Sequence, residues 1–312
     1  MKILFSVLIL LTSWALRAGA NDDYLIENIS LATTWDKVSK NSEQNVRYLI
    51  ELLKKSHTGT RLLKEATMKA AQSGETIFDV LKAGEGSLTD TTLVRKFSQF
   101  NPHEIAYETK SKVYINRDLS LLDALLDTAH ELTHYTYRSA FNPYTYKMTV
   151  NDFIASTIEG TGGEVDAFMM ECKVLFELFP TQLSSRHNCR KIQESGGSFS
   201  RTLAVQEFYK VGSYLPVFEK ELSRFKTKTT DTQVSQDSIS FISSAYGAPY
   251  PLAAVREYMA VMSKVCENDK KRFAFMEAGT GRTPTSSVEK NEDKYARAHQ
   301  ELLKGHSERC QF

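Results

Sequence analysis

The chain has 312 residues, with 39 Lys and Arg set against 38 Asp and Glu, a formal charge of +1. So even a balance excludes the basic footprint of a nucleic-acid binder or of a protein held on anionic lipid. At 41% hydrophobic and 25% charged residues, the composition is that of a globular protein long enough for one large core or two modest ones.

Met1 to Ala20 begins with Lys2, runs apolar from Ile3 to Leu11 and stops at Ala18-Gly19-Ala20, which reads as a secretory signal cleaved before Asn21. An uncleaved anchor is the alternative, although the stretch is short for a membrane span. No other segment approaches that length, so no stable membrane insertion is expected after cleavage. The short, weakly charged signal points to bacterial export, into the periplasm or the medium.

Positions 21–100 read as an N-terminal helical region. Val46, Leu49, Ile50, Leu52 and Leu53, then Leu62, Leu63, Ala66, Met68 and Ala70, then Ile77, Phe78, Val80 and Leu81 carry its apolar pattern, which Ala83-Gly84-Glu85-Gly86-Ser87 breaks. Positions 101–190 form the segment richest in chemistry. Positions 191–312 read as a helical C-terminal region, with helices near Leu203 to Phe225 and Pro251 to Met276 and a last polar helix ending near Gly305. Polar stretches at Gln193 to Ser198 and Thr227 to Ser240 are loops. The fold class expected is α+β, mostly α, with a small sheet.

Within the middle segment, Lys112-Val113-Tyr114-Ile115-Asn116 reads as a strand and Asn116-Arg117-Asp118 as a turn. Ser120-Leu121-Leu122-Asp123 has the form of a capping box, and Leu122, Leu125, Leu126 and Ala129 follow at helical spacing. This helix carries His130-Glu131-Leu132-Thr133-His134. Two imidazoles four positions apart leave one helical face and reach one metal ion, while Glu131 points about 100° round, towards a metal-activated water.

Over positions 100 to 175 the chain resembles the zincin metallopeptidases, whose active-site helix carries this pentapeptide after an edge strand. The metzincin branch requires a third His where Ala140 stands, and is excluded. The gluzincin branch takes a Glu from a second helix, and Glu159, Glu164 and Glu171 are available. Glu164 is favoured: it opens an apolar helix, Gly162-Gly163 before it permit close backbone approach, and Ala167 resembles the small residue of the Glu-x-x-Ala pattern. One departure is Phe168, where thermolysin-type members place an Asp that orients a metal-bound imidazole; Asp127 or Asp166 is left for that task.

The resemblance implies a zincin-like core with its small sheet beside the active-site helix, and Zn²⁺ held by His130, His134 and Glu164 with one position open. It implies hydrolysis of a peptide or protein substrate with Glu131 as general base. For the oxyanion the loop residue Tyr246 is the first choice and Tyr250 the second, with His187 and Tyr214 behind them. Three alternatives stay open: a zinc amidase acting on cell-wall peptides, a non-catalytic secreted zinc-binding protein, and a metal-free helical interaction protein. Four cysteines in an exported chain favour two disulfides. Sequence neighbours suggest Cys172 with Cys189 and Cys266 with Cys310, although three pairings exist.

Overall fold

The computed structural model describes residues 29–97, 105–144, 148–182, 188–225, 232–280 and 289–310, so the expected signal segment lies outside the described residues. Ser42–Lys54 (α1) is capped by Asn41, whose side chain accepts from the Glu43 amide, and His57–Gln72 (α2) by Ser56. Each buries a single apolar face, Val46, Leu49, Ile50 and Leu53 on α1 and Leu62, Leu63, Ala66 and Ala70 on α2. One turn at Ile77–Val80 (α3) is closed by a reciprocal Thr76 and Asp79 capping box.

The chain then becomes a sheet where a helical region is expected. Leu81–Gly84 (β1) and Leu88–Phe97 (β2) flank Ile105–Asn116 (β3) in the order β1-β3-β2, with β1 parallel and β2 antiparallel to β3. Residues 81–97 therefore correct the expectation of helix throughout 21–100. Their β-branched content (Thr89, Thr91, Thr92, Val94) suits a half-exposed pleat, and it is pairing with β3, a non-local contact, that makes them strands. The strand expected at 112–116 extends back to Ile105 because β2 gives its outer half a partner. β3 is also the middle strand, whereas the resemblance implies an edge strand before the active helix. Among the described residues β2 is an edge strand, and its Thr89 touches that helix.

Val113 and Ile115 on β3 are fully buried, and the turn after Asn116 delivers the chain to Leu121–Tyr137 (α4). Ser120 caps α4, its Oγ accepting from the Asp123 amide at 3.1 Å. Leu121, Ala124, Leu125, Leu126, Thr128, Ala129 and Leu132 are all buried, more than one stripe's worth, because α4 is covered by the sheet, by α2 and by Glu164–Leu178 (α6). Val150–Ile158 (α5) precedes α6, and Arg201–Phe208 (α7) and Leu215–Leu222 (α8) follow it. The single helix expected near 203–225 is thus two, divided by a turn in which Gly212 has φ +52° and Pro216 opens α8. A two-stranded hairpin, Ile242–Ser243 (β4) and Ala248–Pro249 (β5), leads into the long Tyr250–Thr280 (α9), against which Glu289–Arg309 (α10) packs.

One hydrophobic cluster runs from Trp35 to Met262 and draws on residues before, within and after the central segment; a smaller one joins Met276, Ala298 and Leu302 where α10 meets α9. Disulfides link Cys172 with Cys189 and Cys266 with Cys310, the pairing of sequence neighbours. Among the described residues no helix is long and apolar enough to cross a membrane.

The far end of α6 is held by Glu177, which accepts from the Thr58 amide at 2.9 Å and from the hydroxyls of Ser56 and Thr58 at the start of α2. Burial raises its carboxyl, but these bonds outweigh it and hold Glu177 below the usual range. Because the folded value is depressed, the stabilisation is present above about pH 4.3 and lost as pH falls through the folded value. Glu177→Gln should cost about 1–2 kcal/mol at pH 7 and much less at pH 3; denaturant unfolding at the two pH values checks this.

Candidate metal centre

The pentapeptide occupies the C-terminal half of α4, and both imidazoles turn towards the first turn of α6. Their ring centroids are 4.8 Å apart and nearly perpendicular, so the rings converge. Glu164, the first residue of α6, meets both: Oε2 lies 3.4 Å from His130 Nε2 and Oε1 3.5 Å from His134 Nε2. One ligand atom from each of the three residues falls within 4.8 Å of the others.

Those two distances discriminate between readings. An N–H···O hydrogen bond is best at about 2.9–3.0 Å. Ligand atoms about 2.0–2.1 Å from a tetrahedral Zn²⁺ stand about 3.3–3.4 Å from each other. The spacing is longer than an ideal hydrogen bond and matches two edges of such a tetrahedron, with all three ligand atoms within 4.8 Å of one another.

The outward nitrogens support that orientation. His134 Nδ1 is 2.8 Å from the Gly162 carbonyl, which can only accept, so Nδ1 carries the proton and Nε2 presents its lone pair inward. His130 Nδ1 faces Glu171 Oε2 at 3.4 Å. Glu171, one of the three acids available in sequence, thus stands behind an imidazole rather than beside the shared point. Glu159 does not join the group; it caps the end of α5 and accepts from the Tyr209 hydroxyl at 2.7 Å. Of the two aspartates left to orient an imidazole, Asp166 acts at one remove: its carboxylate accepts from the Gly162 amide at 3.0 Å and is paired with Arg201. Asp127 hydrogen-bonds Ser87, and its burial, reinforced by Glu171 and Glu131, pushes it up to about 6.

Charge in the cluster is divided as the geometry requires. Burial acts to lower His130, but Glu164 and Glu171 hold it well above its ordinary value, and the two imidazoles hold Glu164 well below the carboxylate range although burial acts to raise it. Protons and a cation would compete for these same atoms.

Glu131 lies outside the ligand triangle, buried against β2, where the Thr89 hydroxyl is 2.8 Å from its Oε2 and 2.9 Å from its backbone carbonyl. The tyrosine whose hydroxyl bonds to Glu164 is Tyr250, at the start of α9. Burial first, then the charges of Glu164 and Glu131, push its phenol well above the ordinary value, so it stays a proton donor. Tyr246, the first choice in sequence, has Glu257 as its charged neighbour instead. The two tyrosines are four positions apart, and β5 and the turn into α9 decide which one faces inward. Glu257 itself is raised, chiefly by burial, and lies within the electrostatic reach of Arg138, Glu164 and His134. His187 lies outside the described residues. Nothing in the primary structure marks Thr89 or Glu257, since each arrives through an element remote in sequence.

Cys266, His306 and Cys310 form a second close group, but its two sulfurs are joined in a disulfide and are not thiolate ligands in this state.

Comparison of the chain with protein-family models, with curated proteins and with solved structures finds no match.

The centre depends on Gly162, whose φ of +68° only glycine adopts without strain, and at which a Cβ would lie 2.4 Å from the Arg138 amide nitrogen at the end of α4. Gly162→Ala combines about 1–2 kcal/mol of left-handed strain with that overlap. Its melting temperature should fall by several degrees, and a variant melting with the wild type would show that the turn can move away. Cys172 lies on α6 two turns beyond Glu164 and is joined to Cys189. Replacing both cysteines by Ser should cost about 3 kcal/mol and speed the loss of bound divalent metal to a chelator; an unchanged loss rate would mean that α6 holds its place without the link.

Proposed function

We propose that the chain is an exported, zinc-dependent peptidase of gluzincin type, with His130, His134 and Glu164 as ligands and Glu131 as general base. The observation that carries the reading is the 3.4 and 3.5 Å spacing of Glu164 from two imidazole Nε2 atoms whose other nitrogens are turned outward to Glu171 and Gly162. Two imidazoles and one carboxylate are the donor set of catalytic zinc sites that keep a position open. When bound, Zn²⁺ supplies a Lewis acid that acidifies water and polarises a carbonyl.

The chain's own groups have distinct tasks in this reading. Glu131 takes the proton of the attacking water and returns it to the leaving amine, and Thr89 keeps the carboxylate aimed by bonding Oε2. Tyr250, protonated at neutral pH, takes the oxyanion role in place of Tyr246 and donates to the carbonyl oxygen as negative charge builds there. The Gly162 carbonyl holds the His134 ring in the tautomer that leaves Nε2 free, and Glu171 faces the outer nitrogen of His130. Among the described residues one edge of β2, beside Glu131, is unpaired and offers main-chain groups to an extended peptide, which favours a peptide or protein substrate. Two disulfides and the N-terminal apolar segment fit passage to an oxidising compartment.

Metal content of purified protein tests the ligand set. The wild type should carry about one zinc per chain, His130→Ala, His134→Ala and Glu164→Ala should each lose it, and Glu159→Ala should keep it. Retention by Glu164→Ala would remove the carboxylate ligand from the scheme. Glu131→Gln should keep zinc while peptide hydrolysis falls about 100- to 10,000-fold; full-rate cleavage by that variant would end the general-base assignment. Tyr250→Phe should lower kcat with little change in KM, and Tyr246→Phe should leave both unchanged.

A further inference from the structure

The two disulfides differ in what surrounds them. Cys172 and Cys189 are fully buried, and among the described residues no third metal-ligating side chain joins them. Cys266 and Cys310 share their neighbourhood with His306, and one ligand atom from each of the three residues lies within 4.8 Å of the others. The imidazole is brought there by helical geometry, independently of the sulfur–sulfur bond. His306 precedes Cys310 by four positions, and the Cys310 amide donates to the His306 carbonyl at 2.9 Å, so both side chains leave the same face of α10. His306 Nδ1 consequently stands 3.2 Å from Cys310 Sγ. Cys266 meets that face from α9, its Cα 5.9 Å from that of Cys310. Asp269 Oδ2 lies 3.9 Å from the same His306 nitrogen, but Asp269 is already bonded to Arg95 at 3.1 Å and to Arg309 at 2.7 Å.

From this arrangement we infer that the reduced chain holds a second metal site, with Cys266, Cys310 and His306 as ligands of one Zn²⁺ and water in the fourth position, a site that the disulfide form lacks. Two thiolates and an imidazole are the donors that a borderline-soft divalent cation prefers. Sulfurs bonded to each other are not thiolates, and reduction is what frees them. A small dithiol supplies two electrons and two protons, is itself oxidised to a disulfide, and leaves Cys266 and Cys310 as thiols. His306 and Cys310 are only half-buried, so the reductant and then the cation have access. Around a tetrahedral Zn²⁺ the two sulfurs stand about 3.8 Å apart, each about 2.3 Å from the metal. Side-chain rotation reaches that separation from Cα atoms 5.9 Å apart, with no parting of the helices. Binding displaces the two thiol protons, and the cation then joins α10 to α9 where the disulfide did. The site shares no residue with His130, His134 and Glu164 and is independent of the peptidase reading.

Co²⁺ is the probe, because thiolate-to-metal charge transfer gives it a near-ultraviolet band that imidazole and carboxylate ligands alone do not produce. The full chain is reduced with a dithiol, freed of it in the absence of air, and titrated with Co²⁺ beside the oxidised chain. The reduced chain should bind one Co²⁺ more than the oxidised chain, develop the band as it does so, and lose the band when Zn²⁺ is added. The oxidised chain should show no band. Cys310→Ser, reduced in the same way and carrying whatever thiols Cys172 and Cys189 release, should also show none, and His306→Ala should weaken Co²⁺ binding roughly tenfold or more. A reduced chain without the band overturns the inference, as does a Cys266–Cys310 bond that stays closed in the folded protein under excess dithiol. A band that survives Cys310→Ser, or an affinity unchanged in His306→Ala, overturns it as well, since the ligands would then be others. Because the band reports sulfur alone, the outcome is the same whether or not the His130, His134 and Glu164 centre takes metal.

Discussion

The contact on which the rest of the centre depends is between backbones. The turn before α6 presses Gly162 against the end of α4, close enough that no Cβ fits between it and the Arg138 amide. That approach lets one residue serve three groups: its carbonyl fixes the His134 ring, its amide is held by Asp166, and the next turn of chain places Glu164 across from both imidazoles. A side chain at this position would hold the helices apart by more than the few tenths of an ångström that ligand distances tolerate.

Around that contact, long-range bonds fix α6 to its other neighbours. Glu177 ties the far end of α6 to the start of α2, Cys172 ties its middle to the segment after it, and Asp166 with Arg201 ties its first turn to α7. An ion-pair cluster as buried as His130, His134 and Glu164 is a weak source of stability by itself, since desolvation offsets most of the attraction. The clamps and the packing of α4 on α6 are therefore what hold the three side chains together, so that any cation bound there would meet donor atoms already gathered.

What could be read from sequence follows the range of the interactions. The pentapeptide, the cap at Ser120 and the buried face of α4 are local, and the helical period alone brings His130 and His134 together. Glu164 stood out because two glycines and an apolar helix surround it, and the disulfide pairs followed chain order. Glu171 was visible as an acid, but its place behind His130 was not, because that depends on how α6 is rotated against α4. Thr89 was hidden inside a stretch read as helical; only the β3 partner makes it a strand residue and sets its hydroxyl on Glu131. The choice between Tyr246 and Tyr250 turned on a two-stranded hairpin too short to leave a pattern.

β2 gives the molecule a direction. One end of the strand sits on Glu131 and the other carries Arg95 to the buried Asp269, and the face between them is lined by Thr91 and Leu93, short or apolar groups that impose no charge of their own. The two disulfides fall one to each side, Cys172–Cys189 on the helix that Glu164 opens and Cys266–Cys310 beside Arg309. An oxidising compartment would therefore secure both the helix that carries Glu164 and the packing of α10 against α9.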